Sequence, residues 1–371
     1  MAEYYTQGIG RRRKKPRKAR SWRTVTLFLL DTLMTLLTAI LVVASLITVI
    51  GQYISPLKSG VISVAALGAP VLYLFDLVVM FYWIVRWKWW RVAVMALVVV
   101  VGLPYLSRYY KMDIRHDYGT KYVERNFTKV MSYNILEGRQ KGVADSVLIH
   151  KPDILCVQEM SIGSDNWARL GKIYNTTYNP AKSSPVQILS KYRIIRHGGI
   201  DTLSLNRAVW ADLRISNDTV RVVNMHLQST AIRKEDTQFL EKHEYIYDNE
   251  RKSKFGSIVS RLVENNRRRA LQAEHIADFI AKSPYPTIVC GDFNDVPMSY
   301  TYHILSRGLH DTFREMARGY EYTYNTTYGL LRIDNIFVTP DIEVVSYEVD
   351  MNMGYSDHYP VIARLKIEDK R

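Results

Sequence analysis

Long apolar runs near the start of the chain constrain its fold more than any other feature. Val25–Ile50 contains 26 residues with Asp31 as its one charged residue, and a helix needs about 20 apolar residues to cross a bilayer. Val61–Val85 and Val92–Leu106 follow after short polar breaks. We therefore predict an integral membrane protein with three transmembrane helices, the third of which, at 15 residues, is the shortest.

The distribution of Lys and Arg predicts how these helices are oriented. The sequence R-R-R-K-K-P-R-K-A-R at residues 11–20 precedes the first run, and Arg86–Arg91 holds three more cations, whereas the first loop holds only Lys58. Cationic segments stay in the cytoplasm. Three crossings would place the rest of the chain outside the cytoplasm, at a plasma (inner) membrane. If Val92–Leu106 does not cross, the rest lies inside.

Net charge gives little support for a nucleic-acid partner. Residues 1–106 hold 13 Lys and Arg against 3 Asp and Glu, a net of +10, and the whole chain carries +14. Residues 107–371 therefore carry only +4, so the basicity belongs mainly to membrane targeting.

Two cysteines, Cys156 and Cys290, each lie inside an apolar run. Cys156 lies three residues before Glu159 and Cys290 two residues before Asp292. Because side chains alternate along a strand, we expect the two buried thiols to lie on opposite faces relative to these polar ends and to form no disulfide.

The chain divides into four parts by composition. We expect residues 1–23 to form a basic cytoplasmic segment, 24–106 a transmembrane module, 107–126 a polar connector and 127–371 a folded domain that carries the motifs described below. Arg268–Ala281 has the apolar stripe of an amphipathic helix. Eight Val-, Ile- and aromatic-rich segments predict strands: Lys129–Ile135, Ile154–Gln158, Val186–Leu189, Val209–Ile215, Val220–Met225, Thr287–Cys290, Ile333–Val338 and Val361–Ile367. We expect an α/β fold, a sandwich of two mostly antiparallel sheets flanked by helices, preceded by the all-α module.

Six short stretches place polar residues at the ends of apolar, β-branched runs, where a strand delivers side chains into a cleft. They are Ser132–Leu136 (S-Y-N-I-L), Val157–Glu159 (V-Q-E), Asn224–Leu227 (N-M-H-L), Gly291–Asp295 (G-D-F-N-D), Arg332–Phe337 (R-I-D-N-I-F) and Ser356–His358 (S-D-H). Carboxylate, amide and imidazole groups of this kind bind Mg²⁺ and handle phosphate.

Together and in this order, the six stretches resemble the endonuclease/exonuclease/phosphatase superfamily over roughly residues 127–367. The resemblance is to a membrane-anchored, bacterial-type member. It implies a DNase I-like sandwich and a phosphoester hydrolase that depends on Mg²⁺, with Mn²⁺ as an alternative.

Three residues are the candidate metal ligands. Glu159 follows the apolar strand D-I-L-C-V-Q and is the first choice, because Mg²⁺ needs only one or two carboxylates and keeps several waters. Asn134 ends a comparable run, and the matching Asn in similar proteins helps to hold the metal or its waters. Asp357 lies in a loop beside His358 and is the third candidate.

Five residues are the candidate catalytic groups. Asp292 and Asn294 are two apart, so they share a face and could orient or deprotonate the attacking water, with Gly291 allowing the backbone to approach the ligand. We expect His358 to contact the scissile phosphate and Asp334 to orient its imidazole. His226 is a second imidazole near the phosphate.

Two residues are candidates for substrate binding. Asn224 shares a face with His226, and Arg207 is either a phosphate ligand or a surface ion-pair partner. Residues 230–267 are a charged insertion, read either as a solvated helical excursion or as a lid or membrane-facing element.

The motifs predict the reaction and leave the substrate open, including whether it is a monoester or a diester. Membrane attachment and the nearly neutral catalytic part favour a lipid headgroup or envelope phosphoester. A nuclease acting on DNA or RNA is the alternative, and an inactive membrane scaffold is the alternative from another class. No protein partner is inferred.

Overall fold

A bundle of apolar helices begins the chain in the computed structural model, which describes residues 22–111, 127–177, 185–202, 207–230, 248–325 and 331–367. The helices are α1 (Trp22–Gly51), α2 (Gly60–Ala65), α3 (Ala69–Val85) and α4 (Trp89–Leu106), with a 3₁₀ turn at Ala66–Gly68 joining α2 to α3. Three segments are long and apolar enough to cross a membrane: Thr24–Gly51, Gly60–Val85 and Trp89–Leu106. The third is longer than predicted because the helix includes Trp89 and Trp90.

Carboxylates tie the helices together inside this bundle. Asp31 forms an ion pair with Arg86, with 2.9 Å between Oδ1 and Nε, and accepts a bond of 2.7 Å from the Tyr82 hydroxyl. Asp76 is fully buried and accepts a bond of 2.6 Å from Ser45 Oγ on α1. A carboxylate in apolar surroundings is costly unless it is paired. Asp76 thus bonds α3 to the neighbouring helix α1.

Two six-stranded sheets pack face to face after the bundle. The strands, in chain order, are β1 (Tyr110–Lys111), β2 (Thr128–Asn134), β3 (Ile154–Gln158), β4 (Asn175–Thr176), β5 (Gln187–Ser190), β6 (Arg193–Gly199), β7 (Ala208–Ile215), β8 (Asp218–His226), β9 (Thr287–Asp292), β10 (His310–Asp311), β11 (Gly319–Tyr320), β12 (Asp334–Val338), β13 (Ile342–Val349) and β14 (Val361–Ile367). One sheet has the order β13-β14-β2-β3-β5-β4, and the other β10-β12-β9-β8-β7-β6. Only β2–β3 and β8–β9 pair in parallel among these neighbours. This is the two-sheet α/β sandwich predicted from the sequence.

The remaining helices cover the sheets and link strands. They are α5 (Val143–His150), α6 (Asp165–Leu170), α7 (Asp248–Ala281), α8 (Tyr300–Leu305) and α9 (Thr312–Met316). Helix α5 connects β2 to β3, and α7 connects β8 to β9, as parallel strand pairs require. The carboxyl ends of both pairs meet at one end of the sandwich, where the polar stretches lie.

The two cysteines lie in the core between the sheets, and their positions differ from the predicted ones. Cys156 on β3 and Cys290 on β9 are both free, fully buried members of the cluster between the sheets. Burial raises the pKa of the Cys156 thiol, which also makes a hydrogen bond with Cys290. The prediction of opposite faces was wrong, because the inner faces of two packed sheets point toward each other.

Helix α7 extends far beyond the sheet that it covers. It has 34 residues and begins 20 residues before the predicted Arg268. Gln272 Oε1 accepts a bond of 2.8 Å from the Gln228 main-chain nitrogen, just past the end of β8, so residues 248–271 project about 36 Å beyond the strand ends. There Asn266 Nδ2 lies 2.8 Å from Ser63 Oγ of α2. The described part of the insertion therefore faces the helical module, while residues 231–247 lie outside the described residues.

The helical module packs directly on the sandwich. Val49, Ala66, Ala69 and Tyr73 of the helices form one buried cluster with Tyr109, Val296 and Met298. Tyr53, in the loop after α1, contacts the His303 ring at 4.6 Å between centroids and the Tyr105 hydroxyl at 2.9 Å. The sandwich thus sits at the α1–α2 loop and the end of α4, whereas Arg86–Arg91 lies at the other end of the helices.

Candidate active site

Glu159, Asn134 and Asp292 converge where β2, β3 and β9 end. Asn134 Nδ2 lies 3.1 Å from Glu159 Oε1 and 3.2 Å from Asp292 Oδ2. Glu159 has a φ of 58°, a left-handed conformation that turns the chain at the end of its strand. One amide thus draws together two carboxylate oxygens from opposite sheets.

Asn294 holds the carboxylate of Asp292 in place. Its main-chain nitrogen donates to Asp292 Oδ1 at 2.8 Å, and its Nδ2 donates to Asp292 Oδ2 at 3.0 Å and to the Leu227 carbonyl at 3.2 Å. Both amide hydrogens are therefore used within the protein. Asn294 thus orients Asp292, and its expected contact with the attacking water stays a prediction.

Gly291 is required by a neighbouring strand rather than by a ligand. Its φ is +140°, and a Cβ at this position would lie 2.1 Å from the Met225 carbonyl oxygen of β8. The expected approach of this backbone to a ligand is thus replaced by a close contact between β9 and β8.

His358 and Asp334 form a buried pair, as the sequence suggested. His358 Nδ1 lies 2.8 Å from Asp334 Oδ2, and both residues are buried. Burial alone would lower the pKa of His358, but the charges of Asp334 and Asp292 outweigh it and raise the pKa to about 10. Burial raises the pKa of Asp334 to about 6, against the opposing charge of His358. Near neutral pH the pair is an imidazolium and a carboxylate.

His226 faces the same centre in the opposite charge state. Its Nε2 lies 3.6 Å from both Glu159 Oε1 and Asp292 Oδ2. Burial lowers the pKa of His226, although the charges of Asp292 and Glu159 oppose that effect. The site thus holds one neutral and one protonated imidazole, the kind of separation that assigns acid and base roles.

The two predicted substrate-binding residues lie in different environments. Asn224 is fully buried: it donates to the carbonyls of Val157 at 3.0 Å and Gln187 at 2.8 Å, and accepts from Gln158 at 2.6 Å. Asn224 therefore links the two sheets, and the substrate-binding prediction is corrected. Arg207 is half-buried; its main-chain carbonyl accepts a bond of 2.8 Å from the His226 nitrogen, and its charge lowers the pKa of His226.

The carboxylate of Asp357 does not join the converging ligands. It is half-exposed, and its Oδ1 lies 3.3 Å from Ser356 Oγ. The closest acidic and imidazole group among the described residues is Asp292, Asp334 and His358, whose ligand atoms lie within 4.8 Å of one another.

A divalent cation therefore fits best between Glu159 and Asp292, beside Asn134. Two carboxylate oxygens, the kind of ligand that Mg²⁺ prefers, converge there, and the Asn134 amide nitrogen donates to both. Asp292 replaces Asp357 as the second carboxylate of this candidate metal site.

Sequence reasoning missed Tyr324 and the loop after Asn134. The Tyr324 ring lies 4.7 Å from the His358 ring; burial raises the pKa of its hydroxyl, and the charge of Asp357 raises it further. Leu136 and Glu137 both have positive φ values, 45° and 64°, next to the site. Such backbone strain clusters at functional sites. A cavity of about 260 Å³ adjoins this loop and is lined by Glu137, Arg139, Glu159, Met160, Ser161 and Pro185. No motif marks these residues in the sequence.

Two family models match the chain. Residues 131–358 match the model described as the endonuclease/exonuclease/phosphatase family. Residues 31–109, most of the helical module, match a family described only as a domain of unknown function. No curated protein matches the chain.

Several solved structures are similar in fold. An endonuclease/exonuclease/phosphatase from Bacteroides vulgatus is 18% identical, with a TM-score of 0.49, covering 66% of this chain and 100% of that chain. A humanized TDP2 from D. rerio is 16% identical (TM-score 0.48; 64% and 98% covered). A 3′ phosphatase, NExo, from Neisseria, bound to a product DNA hairpin, is 20% identical (TM-score 0.45; 64% and 98% covered). These similarities leave the substrate open.

Proposed function

Since this chain belongs to the endonuclease/exonuclease/phosphatase family, whose members are hydrolases acting on phosphoesters, we propose that it is a membrane-held phosphodiesterase that uses Mg²⁺ or Mn²⁺. We further propose that residues 24–106 anchor it and residues 127–371 catalyse the reaction. Its favoured substrate is a phosphodiester of a lipid headgroup or another envelope component.

The observation that carries the proposal is the convergence of complementary groups at one end of the sandwich. Glu159 and Asp292 meet at Asn134, while the protonated His358 lies opposite, with 3.8 Å between its Nε2 and Asp292 Oδ2. The carboxylate oxygens that would bind a metal cation thus lie beside an imidazolium that would donate a hydrogen bond to the phosphate. Phosphoester cleavage needs both, because it requires charge neutralisation and a positioned water.

Each group has a proposed role. Glu159, Asp292 and Asn134 would hold the metal, which when bound neutralises charge on the phosphate and lowers the pKa of water. Asp292, fixed by Asn294, would also orient the attacking water. His358 would donate from Nε2 to a phosphate oxygen, because its Nδ1 is already bonded to Asp334.

Two further side chains would contact the phosphate. His226, neutral at physiological pH, would accept or share a proton near the attacking water. Arg207 would add positive charge beside the phosphate oxygens.

The position of the site supports a substrate at the membrane surface. The carboxyl-end loop with Val296 and Met298 packs against Val49 and Ala69 of the helices. The spans would thus hold the site near the bilayer, which raises the effective concentration of lipid headgroups. DNA is disfavoured, since Arg269 is buried while its neighbours Arg267 and Arg268 point elsewhere.

The helix ends also support an extracytoplasmic catalytic domain. The sandwich lies beside the loop containing Tyr53, at the opposite end of the helices from Arg86 and Lys88. Cationic loops remain in the cytoplasm, so the sandwich would lie on the other side.

A substrate screen of the full-length protein in nanodiscs tests this proposal. Phospholipids, inositol phosphates and duplex DNA would be assayed in parallel with Mg²⁺ and with a chelator, and Glu159→Gln would control for contaminating activity. We expect chelator-sensitive turnover of a lipid phosphodiester above that of DNA at physiological salt. Efficient DNA cleavage that falls steeply with salt, without lipid turnover, would make the protein a nuclease. No turnover of any phosphoester would favour the inactive scaffold.

A further inference from the structure

The segment that carries Asp292 and Asn294 continues directly into the interface with the helices. Two residues beyond Asn294, Val296 is 1% exposed, and Met298 is fully buried. Both belong to the cluster that includes residues of α1 and α3. The catalytic loop, defined as residues 291–298, is therefore in contact with the helical module at Val296 and Met298, near its end.

Arg108 joins this loop to two helix ends. It lies two residues after α4, and its Nη1 donates to the Pro297 carbonyl at 2.8 Å and to Gln52 Oε1 at 3.0 Å. Gln52 is fully buried just after α1. The guanidinium also lies 4.9 Å from the centroid of the Tyr302 ring. Hydrogen bonds from a charged donor are stronger than those from a neutral donor, so the Arg108 bonds to Pro297 and Gln52 stabilise this interface.

The main chain of Arg108 holds a second catalytic segment. Its carbonyl accepts a bond of 3.0 Å from Arg332 Nη2. Arg332 is 1% exposed, also bonds Asp311 at 2.9 Å and Asn335 at 2.7 Å, and lies two residues before Asp334. The turn after α4 is thus bonded to the loop that follows β9 and to the segment that precedes β12, the strands of Asp292 and Asp334.

An independent path links the loop to α2. Asp295 pairs with Arg269 Nε at 3.1 Å, and Arg269 also donates to the Gln228 carbonyl at 2.6 Å and to the Asn266 side chain. Asn266 in turn donates to Ser63 Oγ of α2 at 2.8 Å. Each of these side chains is buried, apart from the half-buried Gln228, so each lost bond leaves a polar group without water.

We propose that the helical module is a working part of the active site, and that Arg108 is the positioning residue through which it sets the geometry of Asp292 and Asp334. The inference rests on the proposed function. Arg108 touches no reacting atom. It acts through Pro297 and Arg332, and a displacement of the loop would move the carboxylate that orients the attacking water.

Arg108→Ala in the full-length protein in nanodiscs tests this, with Arg108→Lys as the conservative variant. Arg169→Ala is the matched control, because Arg169 forms an exposed pair with Asp145 on the outer face of the sandwich. Turnover would be measured with a soluble aryl phosphodiester, which does not have to leave a bilayer. We expect Arg108→Ala to lower kcat by about tenfold to a hundredfold with little change in KM. Arg108→Lys should recover part of the loss, and Arg169→Ala should match the wild type.

Hydrogen exchange of the peptide containing residues 291–298 provides a readout that does not depend on turnover. We expect the loop peptide to exchange faster in Arg108→Ala than in the wild type. The increase should be smaller in Arg108→Lys and absent in Arg169→Ala. Unchanged kcat and exchange in Arg108→Ala would overturn the proposal. If Arg108→Ala does not fold, kcat and hydrogen exchange are measured in Arg108→Lys instead. Unchanged values of both in Arg108→Lys would then overturn the proposal. If the wild type hydrolyses no phosphoester, the proposed function fails, and exchange alone decides whether Arg108 positions the loop.

Discussion

His358 Nδ1 lies 2.8 Å from Asp334 Oδ2, and the Asp334 main-chain nitrogen is itself bonded to Thr323 Oγ1 at 3.0 Å. The Thr323 hydroxyl thus holds the backbone at Asp334, while the Asp334 carboxylate orients the imidazole. Because Nδ1 is occupied, Nε2 is the one ring nitrogen of His358 left to face the phosphate. The two side chains therefore act as one unit.

Removing either member of this unit should have nearly the effect of removing both. We expect Asp334→Asn and His358→Ala each to lower kcat/KM by about 10²- to 10⁴-fold, because both abolish an oriented, protonated imidazole. The double variant should lose little more. Steady-state kinetics of the three variants check this, and multiplicative losses would show that the residues act separately.

Glu159→Gln should remove most metal-dependent hydrolysis, by about a hundredfold or more, because it deletes the proposed carboxylate ligand while keeping its shape. Circular dichroism should show an intact fold, and calorimetric titration should show weakened Mg²⁺ binding. Glu343→Gln is the control, since Glu343 is an exposed carboxylate on β13 paired with Lys366 at 3.7 Å. Full activity in Glu159→Gln would refute the assignment.

The topology prediction can be checked with fusions. A reporter that is active only in the cytoplasm should be silent when fused after the last residue, because three crossings place the catalytic domain on the far side. The same reporter fused after Lys88, in the cationic loop, should be active. A strong signal from the C-terminal fusion would mean that Trp89–Leu106 does not cross.

Glu321 should make stability depend on pH. Burial raises the pKa of its carboxyl from 4.5 to about 7 although the charge of Arg332 opposes this, and its Oε2 is buried without a hydrogen-bond partner among the described residues. The folded state therefore favours the protonated form, and stability falls as pH rises from about 4.5 through about 7. Glu321→Gln should raise the Tm above this window and leave it nearly unchanged below. An equal shift on both sides would show that burial of this group does not control its protonation.

The sequence by itself determined the elements and the chemical inventory of the site. All eight predicted strands are present, because β-branched runs between polar clusters specify strands locally. It missed six of the described strands: the two-residue strands β1, β4, β10 and β11, the edge strand β13 (Ile342–Val349), and β6 (Arg193–Gly199), which is largely exposed and ends in two glycines. It also started α7 too late, although Phe255, Ile258, Val259, Leu262 and Val263 have the helical i, i+3, i+4, i+7, i+8 spacing in that charged part of the helix.

Tertiary structure alone decided which polar groups remain free to act. Asn224 and His226 share a face of one strand. The Asn224 side chain donates hydrogen bonds to main-chain carbonyls of the opposite sheet, whereas the His226 ring faces the Glu159 carboxylate. The contact of Arg108 with Pro297 joins residues 189 positions apart. Local pattern specifies residue type and direction, but the partner of a buried polar group depends on how separate elements pack, and no short window of sequence contains that information.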